Sequence, residues 1–115
     1  MGYDEKQANR IREALVDASN VTEKAMFGGL CFMVDDKLCI CVRNADLLCR
    51  VGPDEFENAL EKNGASVMTM GSRTMKGYVY VEEGALRNHK DFDYWVDTSL
   101  AYNKIARPAK KRKSK

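Results

Sequence analysis

MFGGLCFMVDDKLCICVRNADLLCRV, residues 26 to 51, is the stretch whose reading decides the fold. Two apolar runs, MFGGLCFMV and LCICV, are separated by Asp35-Asp36-Lys37. A third, Leu47-Leu48-Cys49-Arg50-Val51, follows Asn44-Ala45-Asp46. Short apolar runs bounded by polar turn residues read as strands, and turns this short make neighbouring strands antiparallel. The segment is therefore a three-strand meander. Both faces of its first two strands are largely apolar, which makes it central or covered. Three-residue turns would pair Val34 with Leu38 and Arg43 with Leu47, setting Cys31 and Cys49 opposite Cys41 from its two sides. A two-residue first turn would slip that register and send Cys31 to the other face. Cys39 and Cys41, two positions apart, are expected to share a face.

Working outward, residues 3 to 19 read as a first helix. Asp4 is its cap, Gln7 completes a capping box, and Ala8, Ile11, Leu15 and Ala18 recur at helical spacing. Downstream, Gly52-Pro53-Asp54-Glu55-Phe56 opens a helix with Gly52 as N-cap and Pro53 at the first helical position. Asn63-Gly64 ends it. Val67 to Met70 reads as a fourth strand, and Gly77-Tyr78-Val79-Tyr80-Val81 as another, rich in aromatic and β-branched residues. Asn88 caps a last helix to about Ile105, with Phe92, Trp95, Val96, Ser99 and Tyr102 on one stripe and Pro108 beyond its end. The fold class is α+β: an antiparallel sheet of about five strands packed by three helices, in the order α-β-β-β-α-β-β-α.

The 115 residues suffice for one hydrophobic core. No apolar run is long enough to span a bilayer, so no membrane role is expected. The polar start MGYDEKQ is not a secretory signal, which points to the cytoplasm. Four cysteines spaced C-x7-C-x-C-x7-C lack the paired knuckles of a structural zinc site, and all four are expected to be buried, reduced thiols, with a metal or redox role and disulfides as the lesser readings. The formal charge of +2 hides a division. Residues 107–115, RPAKKRKSK, carry six Lys or Arg and no acid, which leaves 13 basic and 17 acidic residues in the body, a net charge of −4. The body, 1–106, is expected to be one folded domain and 107–115 a disordered basic tail.

Three ordered segments, Lys24–Leu30, Arg50–Glu57 and Met75–Val81, together resemble the TfoX N-terminal domain family, over roughly residues 3 to 106. The resemblance implies an antiparallel sheet packed by helices, similar in outline to secretion-chaperone-like domains. It offers no catalytic residues to carry over, and no cofactor is expected. Longer members, TfoX or Sxy, regulate natural competence genes with the cyclic-AMP receptor protein and carry a second, helical domain. This chain is expected to be the first domain alone.

The residues themselves offer several contact sites. Gly28 and Gly29 either expose backbone N–H groups to a partner or simply permit close backbone approach. Their spacing is neither a P-loop nor a Rossmann fingerprint. Arg50, in an otherwise apolar strand, either pairs with Asp54 or Glu55 or recognises a partner's acid through its planar fork. Arg73, Met75 and Lys76 make a modest basic and pliable rim, or an ordinary turn beside core methionines. His89 has no visible acid–base partner set. Arg107, Lys110, Lys111, Arg112, Lys113 and Lys115 suit weak, non-specific DNA contact, an acidic protein surface, or solubility alone. The expected role is a non-enzymatic regulator acting through a protein partner, a transcription factor by the family resemblance. The alternatives are a nucleic-acid-associated protein using the tail, and an uncharacterised enzyme or redox protein resting on the cysteines and His89. Open sheet edges are also compatible with a homodimer.

Overall fold

The structure, a computed structural model, describes residues 3–106 except 19, 27 and 71. The expectations for 107–115 lie outside the described residues. In chain order the elements are α1 (Glu5–Ala14), β1 (Val21–Met26), β2 (Gly29–Val34), β3 (Lys37–Arg43), β4 (Asp46–Arg50), α2 (Phe56–Leu60), β5 (Ala65–Met70), β6 (Arg73–Val81), a 3-10 turn (Glu83–Leu86) and α3 (His89–Asn103). The strands form one antiparallel sheet in the order β1-β2-β3-β4-β6-β5. The α+β class is as expected, with six strands where about five were read. The additional one is β1, whose sequence VTEKAM is polar at its centre. It pairs with β2 along its whole length and forms one edge of the sheet.

The meander stands, but its register is built differently. Asp35 and Asp36 both adopt positive φ, 54° and 65°, so the first turn has two residues and Val34 pairs with Lys37. Turns of this primed kind match the twist of the strands they join. The slip this would cause is undone by a bulge, because Met33 pairs with Leu38 while Phe32 pairs with Ile40, leaving Cys39 extra. Cys31 therefore does lie opposite Cys41. Cys39 is turned to the other face, against the expectation that it shares one with Cys41. The second turn is also two residues long, pairing Arg43 with Asp46, so Cys49 faces Ile40 rather than Cys41.

One face of the sheet carries the helices. Ile11 and Ala8 from α1, Phe56 and Ala59 from α2, and Phe92, Trp95 and Val96 from α3 close over Phe32, Ile40, Val42, Leu47, Val79 and Val81. The opposite face holds a second buried cluster of Cys31, Met33, Leu38, Cys41, Leu48 and Met68. Both faces of β2 and β3 are thus covered, which is why neither strand alternates apolar with polar.

The caps show which local signals were sufficient. Asp4 caps α1 by accepting from the Gln7 N–H at 2.9 Å, and Asn88 caps α3 through the Lys90 N–H at 2.7 Å. Gln7 does not close the capping box. Its side-chain amide donates to the Ala45 carbonyl at 2.6 Å, tying α1 to the β3–β4 turn. Nor is Gly52 the cap of α2. It has φ +88°, and its N–H donates to Gly77 O at 3.0 Å, making it a joint between β4 and β6. Pro53 to Glu55 form a turn, and α2 begins at Phe56.

Candidate functional site

The sheet registers separate the sequence-derived candidates into two places. Gly28 precedes β2 and Gly29 opens it, at the end of the sheet where Val42 and Arg43 lie. Arg50 closes β4 at the other end, opposite Tyr78 of β6, and Arg73, Met75 and Lys76 belong to the part of β6 that runs on beyond it. The glycines and Arg50 therefore do not form one site.

At the first place the backbone explains the glycines. Gly28 has φ +74°, and a Cβ on Gly29 would collide with the Val42 carbonyl oxygen. Close packing of β2 on β3 demands a residue without a side chain there.

At the second place Arg50 is half-buried, and its guanidinium carbon lies 5.7 Å from the Tyr78 ring centroid and 5.4 Å from that of Tyr102. Tyr102 comes from the last turn of α3 and rests against Gly52, where a Cβ would collide with its ring. Two aromatic faces within about 6 Å hold a guanidinium by cation–π attraction while its N–H donors remain available. The local ion pair expected with Asp54 or Glu55 is not formed. Glu55 instead accepts from the Tyr94 hydroxyl at 3.1 Å, and Arg50 meets no carboxylate among the described residues. By contrast Arg12 makes a two-pronged contact with Glu23, at 2.8 and 2.9 Å, which holds the Glu23 carboxyl below its ordinary range. Arg73 and Lys76 are exposed near this end, while Met75 packs against the second buried cluster.

Tyr78 and Tyr102 were missed as partners of Arg50. Helical spacing puts Tyr102 on the stripe of α3 with Trp95, and strand alternation puts Tyr78 on the face away from Val79. Neither signal says that the two rings converge.

The cysteines offer little nucleophilic chemistry. Cys31 and Cys41 are joined in a disulfide, which corrects the expectation of four reduced thiols. A bonded pair forms here because the bulge brings the two residues directly opposite each other. Cys39 and Cys49 are free and buried. Burial pushes the Cys39 thiol up to about 12 despite the nearby Arg50 charge, and raises Cys49 as well. The thiolate, which is the reactive form, is correspondingly scarce at both. Ser99 contributes its buried hydroxyl beside the Cys49 sulfur. Among the described residues, no group of three or more His, Cys, Asp or Glu side chains is placed to hold a metal ion. His89 is exposed at the start of α3.

A second polar joint lies at the far end of β4. Asp46 accepts from the Tyr80 hydroxyl at 2.5 Å and from the Glu83 N–H at 2.8 Å, anchoring the 3-10 turn to the sheet. Burial and the neighbouring carboxylate push the Tyr80 hydroxyl up to about 12. Its role is structural.

No curated protein and no solved structure matches the chain. The family model for the TfoX N-terminal domain matches residues 13–102, which takes in everything from the end of α1 to Tyr102 and includes both places described above. With that match over most of its length, the chain belongs to the TfoX N-terminal domain family.

Proposed function

We propose that this protein is a non-enzymatic module that acts in transcriptional control by contacting a protein partner, with Arg50 as the residue that recognises an acidic group on that partner. The observation that carries this reading is the half-buried guanidinium of Arg50, stacked between Tyr78 and Tyr102 with no carboxylate of its own among the described residues. A partly desolvated charge is ordinarily matched by an opposite one. A carboxylate supplied by a partner would complete the fork, and arginine framed by tyrosines is the composition typical of interface hot spots. Exposed Arg73 and Lys76 add positive charge near that end of the sheet. Family membership supports regulation through the resemblance to the longer competence regulators.

The test is capture from native cytosol with wild-type, Arg50→Ala and Arg50→Lys proteins as baits, each first checked for unchanged thermal unfolding. A partner held by wild type is expected to bind Arg50→Ala roughly 30-fold more weakly, as loss of a hot-spot arginine does. Arg50→Lys is expected to bind weakly too, since lysine lacks the planar fork. Equal retention by all three baits, or no reproducible partner for wild type, defeats the reading.

A second reading rests on a separate observation, the six cations and no acid of residues 107–115. It assigns to the tail a weak, sequence-independent contact with DNA. With all six cations on phosphate, log K is expected to fall with log salt at a slope of about −5. Deleting 107–115 should abolish the binding, and unchanged affinity after deletion excludes the tail.

A further inference from the structure

We propose that the basic segment 107–115 docks intramolecularly in an acidic groove on the body of the same chain. The groove has a volume of about 480 Å³ and lies between the turn after α1, the β2–β3 turn and α3. Its apolar lining includes Ala18, Val34 and Leu100, and it carries Asp17, Asp35 and Asp97 from three different parts of the chain. Asp17 and Asp97 are exposed and make no ion pair with a described residue, while Asp35 accepts from the Asn20 side chain at 3.0 Å. Two cations lie nearby. Lys104 lines the groove, and Lys37 is engaged with the Asn103 carbonyl at 2.8 Å.

The occupant follows from where the chain goes next. Asn103, which ends α3, and Lys104, just after it, line the same groove as Asp97, so the polypeptide leaves the helix beside it. In the sequence Arg107 precedes Pro108, and a residue before proline is in general disfavoured in the helical region. Nine extended residues reach about 30 Å, whereas Asp97 lies only about 10 Å back along the helix from Lys104. Lys110 to Lys113, four consecutive cations, span about 10 Å when extended, with alternate side chains on one side. The segment is thus long enough to fold back along α3 and opposite in charge to the groove. The body it meets carries a net charge of −4. Charge is the chief attraction, so the docked state weakens as salt rises and competes with any polyanion for the same cations. This inference goes beyond the partner-binding reading and does not depend on it.

The experiment uses the full chain with Ser114→Cys carrying a nitroxide spin label, and reads amide signal loss by NMR. The native cysteines are bonded or buried, which leaves the new thiol as the labelling site. At about 0.01 M salt, residues 14–18 and 97–104 are expected to lose about half or more of their intensity, and to recover it at about 1 M. The double variant Asp17→Asn with Asp97→Asn should lose the effect at low salt. No salt-dependent broadening at these residues, broadening centred elsewhere, or broadening unchanged in the double variant overturns the proposal. A mixture of isotope-labelled chain with unlabelled, spin-labelled chain separates the two sources of a tail. Broadening as strong in that mixture means a second copy's tail is the occupant, which also overturns docking within one chain.

Discussion

Trp95→Ala is expected to lower the unfolding free energy by about 4 kcal/mol, the range found when a large aromatic is removed from a packed core. Trp95 is 1% exposed at the centre of the inward stripe of α3, within the cluster that joins all three helices to β2, β3, β4 and β6. Alanine is the best helix former, so the loss is one of packing and not of helix propensity. A domain of this size has a total stability of roughly 5 to 15 kcal/mol, and the substitution takes a large share of it. The corresponding fall in Tm is about 15 to 30 °C. Urea unfolding followed by far-UV circular dichroism checks this without relying on tryptophan fluorescence. The midpoint should move down with little change in slope. Trp95→Phe keeps an aromatic ring and should lose less, while Tyr94→Ala, at a half-buried neighbouring position, should also fall short of the Trp95→Ala effect. A shift under about 1 kcal/mol for Trp95→Ala would mean that α3 is not anchored through this ring.

Trp95 also marks what was legible in the sequence. Helical spacing places it on the stripe of α3, because that signal is local and repeats along one helix. Asp4 and Asn88 were legible for the same reason, since a cap is a bond between a side chain and a backbone N–H two or three residues away. Apart from the lengths of the two meander turns, the failures involve distant residues. VTEKAM is apolar only at Val21, Ala25 and Met26, and becomes a strand because β2 offers it an edge. Gly52-Pro53 has the chemistry of a helix start, but Gly77 and Tyr102 take hold of Gly52 first. Arg50 was recognisable as an unusual residue in an apolar strand. Its surroundings were not, because Tyr78 reaches it through the pairing of β4 with β6 and Tyr102 through the docking of α3. Glu55, one of the two local acids offered as its partner, is engaged by Tyr94. The candidate site is therefore a product of tertiary structure, with only its central cation visible beforehand.

Opening the Cys31–Cys41 disulfide is expected to cost about 2 to 3 kcal/mol, the chain-entropy value for a loop this short. The effect acts mainly on the unfolded chain, whose freedom between β2 and β3 the bond restricts. Unfolding with and without a reductant measures it, and a Cys31→Ala, Cys41→Ala double variant should match the reduced protein under both conditions. Thiol counts give an independent check. Without reductant, the native protein should show no rapidly reacting thiol, since Cys39 and Cys49 are buried with their thiols shifted upward. Denaturation alone should release two thiols, and denaturation with reduction four. Four thiols after denaturation alone would mean the bond is not formed. The reduced protein should nevertheless keep its fold. The Asp35-Asp36 turn and the Cys39 bulge already place Cys31 opposite Cys41, and the helix-side core lies on the other face of the sheet. The bond therefore fastens a register that the backbone has set, and its loss should shift the unfolding midpoint while leaving the circular dichroism of the native state unchanged.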